Sequence, residues 1–102
     1  MTPEAKTKER IKRMLVSHGV YYFMPATHGY GRSGVPDFVV CANGRFLAIE
    51  AKARRGKTTA LQEREMTHIR AAGGRTLVVY DTDDHFDMLR TTLQEMLDAL
   101  YY

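Results

Sequence analysis

Phe38-Val39-Val40-Cys41-Ala42-Asn43-Gly44-Arg45-Phe46-Leu47-Ala48-Ile49-Glu50-Ala51-Lys52 decides the fold. Two runs rich in β-branched and aromatic residues flank Asn43-Gly44. That dipeptide tolerates two successive positive φ angles and so closes a two-residue hairpin. The reading is a strand over residues 38–41, a turn, and a strand over residues 45–53. Alternate side chains of a strand share a face, so Glu50 and Lys52 point one way. Leu47, Ile49 and Ala51 point the other way, toward a helix layer. A carboxylate amid Phe46-Leu47-Ala48-Ile49 is out of keeping with packing, because strands covered on both faces favour apolar side chains. The two strands run in opposite directions, which places Asp37, at the start of the first, near Glu50 at the end of the second.

Upstream, Pro3 and Glu4 open a helical stretch that runs to about residue 17. Ile11, Met14, Leu15 and His18 recur at helical spacing, with Lys6, Lys8, Arg10, Lys12 and Arg13 around them. Gly19 stops it, and residues 20–24 form a short strand. Residues 25–35 hold three glycines, a proline and a serine, and read as a mobile loop. Downstream, Arg54-Arg55-Gly56-Lys57-Thr58 is a basic loop. Thr59-Ala60-Leu61-Gln62 is a capping box that starts a helix ending at Gly73-Gly74. Residues 76–80 form a fourth strand. Asp81 to Asp84 supply the cap and first-turn acids of a last helix, whose apolar stripe is Phe86, Leu89, Leu93, Met96, Leu97 and Leu100. The order is α-β-β-β-α-β-α. A helix between the third and fourth strands implies a parallel pair, and the whole implies an α/β domain with a small mixed sheet flanked by helices.

The chain has 102 residues, which is room for one core and one domain, residues 1–102. With 44% hydrophobic and 26% charged residues, it has the composition of a folded globular domain, which excludes wholesale disorder. No apolar run reaches the length of a membrane span, and the opening residues lack a signal-peptide pattern. A single cysteine, Cys41, excludes an internal disulfide framework and a cysteine-based zinc site. It fits a reducing compartment, the cytoplasm, and is expected to be a small buried residue of its strand. The net charge of +3 leans mildly toward anionic partners. His18 and His68 are too scattered for a zinc cluster, and there is no phosphate-cradling glycine loop. Met14, Met66, Met88 and Met96 sit at helical core spacings.

The pairing of Asp37 with Glu50 and Lys52 suits phosphodiester hydrolysis. Two carboxylates and the Ala51 carbonyl between Glu50 and Lys52 are hard oxygen ligands for Mg²⁺ or Mn²⁺. A metal there would polarise a phosphoryl oxygen and lower the pKa of a bound water. A lysine one strand-step away can orient that water or stabilise developing negative charge. An ordinary surface Glu-Lys pair is the competing explanation.

Gly34-Val35-Pro36-Asp37, then Phe46 to Lys52, then Thr59-Ala60-Leu61-Gln62, together resemble the VRR-NUC family of the PD-(D/E)XK nuclease superfamily. The likeness is greatest to its stand-alone phage and prophage members, and runs through Gly73-Gly74 and Leu77-Val78-Val79. It implies a restriction-endonuclease-like core and divalent-metal-dependent DNA cleavage at branched structures such as four-way junctions or flaps. It implies Asp37 and Glu50 as metal ligands, Lys52 as the catalytic lysine and Gln62 as a supporting glutamine. Phage origin and a host-cytoplasmic setting are implied in the same way.

The resemblance also implies a glutamate on the first helix. At about 100° per residue, Glu4 falls on the Ile11/Leu15 face and Glu9 nearly opposite. Glu4 is therefore preferred as a site and metal-contacting residue, and Lys8 on the same side is placed to reach a phosphate. A first-turn acid favouring the helix dipole is the other account of Glu4. Glu9 is expected to pair with Lys12 or Arg13. Capping alone would also account for Gln62. Arg54, Arg55 and Lys57 are expected to contact DNA phosphates without sequence preference. Arg32, with His28 and Tyr30, lies in the glycine-rich loop where it could touch phosphates or bases. Two other functions stay open: a non-catalytic nucleic-acid-binding module and a structural subunit of a phage replication complex. A homodimer is expected, because symmetric cutting of a four-way junction needs two sites. Val20-Tyr21-Tyr22-Phe23 and Leu100-Tyr101-Tyr102 are the candidate surfaces.

Overall fold

Thr2 begins the first helix, α1 (Pro3–Ser17), with its hydroxyl accepting a hydrogen bond from the Ala5 amide at 3.1 Å. Pro3 takes the first position, where a missing N–H costs nothing. Thr7, Ile11 and Leu15, four residues apart, are its buried face. The strands follow as β1 (Tyr21–Phe23), β2 (Phe38–Ala42) and β3 (Arg45–Lys52). Then come α2 (Ala60–Ala71), β4 (Arg75–Tyr80) and α3 (Asp83–Asp98). This computed structural model describes residues 1–26 and 31–100. His28, Tyr30, Tyr101 and Tyr102, to which the sequence assigned base-stacking and dimer roles, lie outside the described residues.

The architecture is the expected α-β-β-β-α-β-α, with one mixed four-stranded sheet in the order β1-β2-β3-β4. β2 and β3 are an antiparallel hairpin in the register Phe38↔Ile49 and Ala42↔Arg45, while β3 and β4 run parallel. Asn43 and Gly44 form the turn with φ of 52° and 74°. The Asn43 side chain also donates to the carbonyls of Met96 and Ala99, at 3.1 and 2.7 Å, so the hairpin caps the end of α3.

The core lies on one face of the sheet. Ile11 and Leu15 of α1 and Phe86, Leu89, Leu93 and Met96 of α3 close over Phe38, Val40, Leu47, Ile49, Ala51 and Val79. Each fully buried Leu, Ile or Phe contributes about 1.5–3 kcal/mol. Arg10 ties the two helices, with its guanidinium on Asp81 and Asp83 and 3.9 Å from the centre of the Phe86 ring. Those carboxylates hold its pKa above the usual arginine value.

α2 packs on β4, across the opposite face. It leaves the β1–β2 end of that face open, and this accounts for one correction. Cys41 is exposed, not buried, because its side chain points away from α1 and α3, onto the part of the sheet that α2 does not reach. Met88 is likewise 38% exposed, on the outer side of α3. α3 stops at Asp98 and Leu100 stands out in solvent, so the stripe of the last helix ends at Leu97. Among the described residues no helix is long and apolar enough to cross a membrane.

Candidate active site

The site forms where β2 begins and β3 ends. In the hairpin register Ile49 faces Phe38, and one pair further Ala51 would face Pro36. Residues in a hydrogen-bonded antiparallel pair direct both N–H and C=O at the partner strand. Ala51 therefore directs both toward position 36, where proline has no N–H to give. The ladder ends there, and the Asp37 side chain takes over. Its Oδ2 accepts the Ala51 N–H at 2.8 Å. The Ala51 carbonyl is aimed into the same space.

Glu50 lies alongside and is only 3% exposed. Its Oε1 accepts from Gln62 Nε2 at 2.9 Å. Its Oε2 is buried with no hydrogen-bond partner. Burial pushes the Glu50 carboxyl up to about 8. The like charge of nearby Asp37 adds to the shift, Lys52 opposes it, and Glu4 adds a little. Burial and Asp37 outweigh Lys52, so without a metal the balance is shifted toward the protonated carboxyl.

Lys52 sits on the same face of β3 and is 7% exposed. Its stem lies under the turn in which Gly56 N–H donates to the Ala53 carbonyl at 2.8 Å. The backbone at Lys52 is held from the other side of the sheet. Thr7 of α1 is fully buried, and its hydroxyl shares its one proton between the Lys52 carbonyl at 3.1 Å and the Pro3 carbonyl of its own helix at 3.2 Å. Sequence reading passed over Thr7. A threonine on a helix gives no local sign of a partner 45 residues away.

Gln62 does what a capping box requires and more. Its Oε1 accepts the Thr59 N–H at 2.9 Å, and its own N–H donates to Thr59 Oγ1 at 3.2 Å. That fixes the amide, so its Nε2 is turned to Glu50. The loop before Asp37 is pressed against this helix start. A Cβ on Gly34 would lie 2.5 Å from the Leu61 carbonyl, and its φ of 75° also demands glycine.

Lys8 bridges the two elements. Its ammonium is 3.5 Å from Asp37 Oδ1 and 3.7 Å from Glu4 Oε2. Glu4 is thus at the margin of the site, while Glu9 pairs with Lys12 at 3.1 Å. Arg54, Arg55 and Lys57 are exposed on the loop after Lys52. Arg32 lies on the wall of the cleft, but its guanidinium is paired. Its guanidinium forks onto Glu65, with Nε–Oε1 at 2.9 Å and Nη2–Oε2 at 3.0 Å.

Asp37, Glu50 and Gln62 line a cleft of about 410 Å³ walled by Pro25 and residues 31–36. A larger cleft of about 630 Å³ opens at the other end of β3, among Phe46, Ile69, Gly74 and Met96. It holds no acidic pair, and its Glu95 is taken by Arg75 at 3.3 Å. The chemistry therefore marks the smaller cleft. Among the described residues no three His, Cys, Asp or Glu side chains converge on one point. The acidic pair is completed by a backbone carbonyl, with Glu4 behind Lys8. Hard oxygens, a buried carboxylate oxygen without a donor and a Glu50 carboxyl whose ionisation is opposed by burial and by Asp37 fit a Mg²⁺ or Mn²⁺ ion.

No protein-family model matches the chain, and no curated protein matches it significantly. A solved structure described as a VRR_NUC domain is similar over 87% of this chain and 96% of that one, with a TM-score of 0.73 and 22% identity. The likeness covers most of the chain and agrees with the resemblance carried by Pro36-Asp37, Glu50-Ala51-Lys52 and Gln62: the chain has the fold of a VRR_NUC domain.

Proposed function

We propose that the chain is a divalent-metal-dependent, structure-directed endodeoxyribonuclease that uses Mg²⁺ or Mn²⁺. The observation that carries this reading is the Asp37–Glu50 pair, with a buried Glu50 oxygen lacking any donor and Lys52 beside it. Asp37, Glu50 and the Ala51 carbonyl would hold the metal, with Glu4 in contact directly or through water. When bound, the metal supplies Lewis-acid polarisation of the phosphoryl group and a more acidic water. Gln62 keeps the Glu50 carboxylate turned into the cleft. Lys52 donates to the attacking water or to the charge that gathers on the phosphoryl oxygens. Water adds to phosphorus, and the bond to the leaving sugar oxygen breaks.

The preference for branched DNA, such as four-way junctions or flaps, and a place in phage replication or repair rest on the family resemblance. Incubating the protein with junction, flap, duplex and single-stranded DNA, with and without Mn²⁺, is the direct test. Mn²⁺-dependent cutting that favours the branched forms is expected. Binding without cutting on any of the four would favour a non-catalytic module.

Arg54 and Arg55 are proposed as phosphate contacts. The double substitution Arg54→Ala with Arg55→Ala should weaken DNA binding at every sequence and lower the salt slope by about two. An unchanged slope in a filter-binding titration would remove them from the interface.

Homodimerisation is proposed as well. β1 is an edge strand only three residues long, with Tyr21 and Phe23 exposed, and Leu100 is exposed near the end of the chain. Light scattering at micromolar concentration should give twice the 11.6 kDa of one chain. A monomer mass with junctions still cut on both strands would end this proposal.

A further inference from the structure

Asp37 has two neighbours with different roles. Its Oδ2 is fixed by the Ala51 amide at 2.8 Å. Its Oδ1 is 3.5 Å from the Lys8 ammonium, which is also 3.7 Å from Glu4. The Lys8 side chain is 30% exposed and hangs from α1, so it has room to leave. Asp37 and Glu4 flank Lys8, which is a positive charge standing on the oxygen that a metal would use. An ammonium and a divalent cation compete for that oxygen, because their mutual repulsion in a partly buried site opposes simultaneous contact. Lys8 is also a weaker partner than its position suggests. At 3.5 Å it is an ion pair longer than a good charge-assisted hydrogen bond.

We infer that Lys8 is an exchangeable counter-ion: it holds Asp37 when no metal is bound, gives way to Mg²⁺ or Mn²⁺, and turns its ammonium outward to a DNA phosphate. This inference rests on the metal reading of the Asp37–Glu50 pair. It adds a coupling to that reading. The metal must displace a lysine to bind, and a phosphate that takes up the released lysine favours the metal-bound state. Metal and DNA should therefore strengthen each other's binding through Lys8.

Titration calorimetry of the metal-free protein with Mn²⁺ alone, at fixed pH and salt, tests it. Lys8→Met keeps the stem and the helix while removing the charge. It should bind Mn²⁺ about tenfold more tightly than the unaltered chain. Lys8→Arg keeps the competing charge and should not. A catalytically silent, non-hydrolysable DNA should tighten Mn²⁺ binding to the unaltered chain and do so less for Lys8→Met. Equal or weaker Mn²⁺ binding by Lys8→Met would overturn the exchange. Absence of Asp37-dependent Mn²⁺ binding in both proteins would overturn the metal reading itself, and the two failures are thereby told apart. Melting curves that coincide for all three metal-free proteins at low pH would confirm that each is folded.

Discussion

Exchanging Glu50 for glutamine is expected to abolish DNA cleavage and, in the metal-free protein, to raise thermal stability at neutral and alkaline pH. The loss of activity follows from removing a proposed ligand, and should be at least about a thousandfold. The gain in stability follows from the pKa. Glu50 in the folded chain is raised to about 8 by burial and by Asp37, whereas the unfolded chain ionises at the ordinary carboxylate value. Below that ordinary value both states are protonated and the carboxyl costs nothing. As pH rises toward 8, the unfolded chain loses its proton first, so folding stability falls by about 1.4 kcal/mol per unit. Above pH 8 the folded state ionises too and the fall ends. Glutamine mimics the protonated carboxyl, can still accept from Gln62, and does not titrate. The two melting temperatures should be close at pH 4.5 and part steadily up to pH 8, by the equivalent of about 2–4 kcal/mol. Saturating Mn²⁺ should narrow or reverse the gap by stabilising only the unaltered chain. A glutamine variant that melts lower than the unaltered chain at pH 8 without metal would sink this account of Glu50.

The second large effect is expected at Lys52. Lys52→Met should lower turnover by about a hundred- to a thousandfold while leaving the DNA dissociation constant nearly unchanged, because the ammonium is proposed to act on charge that exists only in the transition state. The substitution is a clean one. The strand end is held through the Lys52 carbonyl by Thr7, a main-chain contact that the new side chain does not touch. Methionine also keeps the stem packed beneath the Gly56 turn. Single-turnover cleavage and equilibrium binding, measured on the same junction, separate the two effects. A rise confined to the dissociation constant would make Lys52 a phosphate anchor and no more.

What the sequence made legible was local, or reached through one hairpin. Asn43-Gly44 declares its turn through backbone sterics, and the register that follows brings Asp37 beside Glu50 without further information. Thr59 and Gln62 declare a helix start because a capping box is four consecutive residues. The helical period was enough to put Glu4 on the Lys8 side of α1 and Glu9 away from it, but not to choose Lys12 over Arg13 as the partner of Glu9. Features that depend on which faces meet were not legible. Alternation cannot say that α2 leaves the β1–β2 end of the sheet uncovered, so Cys41 was expected to be buried. Nor can it say that Met88 falls on the outer side of its helix. The forked pair between Arg32 and Glu65 joins residues 33 apart, and Thr7 reaches Lys52 across 45. Such contacts carry no periodic trace, because each side chain is common at its own position and only the meeting is unusual.

Gln62 spends both ends of one amide, the oxygen on the start of α2 and the nitrogen on Glu50. This restricts what mutation can explore at that position. Glutamate would preserve the cap and set a third negative charge against Glu50. Lysine would face Glu50 well and leave the Thr59 amide without an acceptor. Asparagine is a methylene too short to span both partners. Each of these replacements therefore harms helix initiation, the aim of Glu50, or both. Position 62 is in this way tied to folding as well as to chemistry, so a chain relieved of its catalytic need would still be expected to lose helix stability on losing this glutamine.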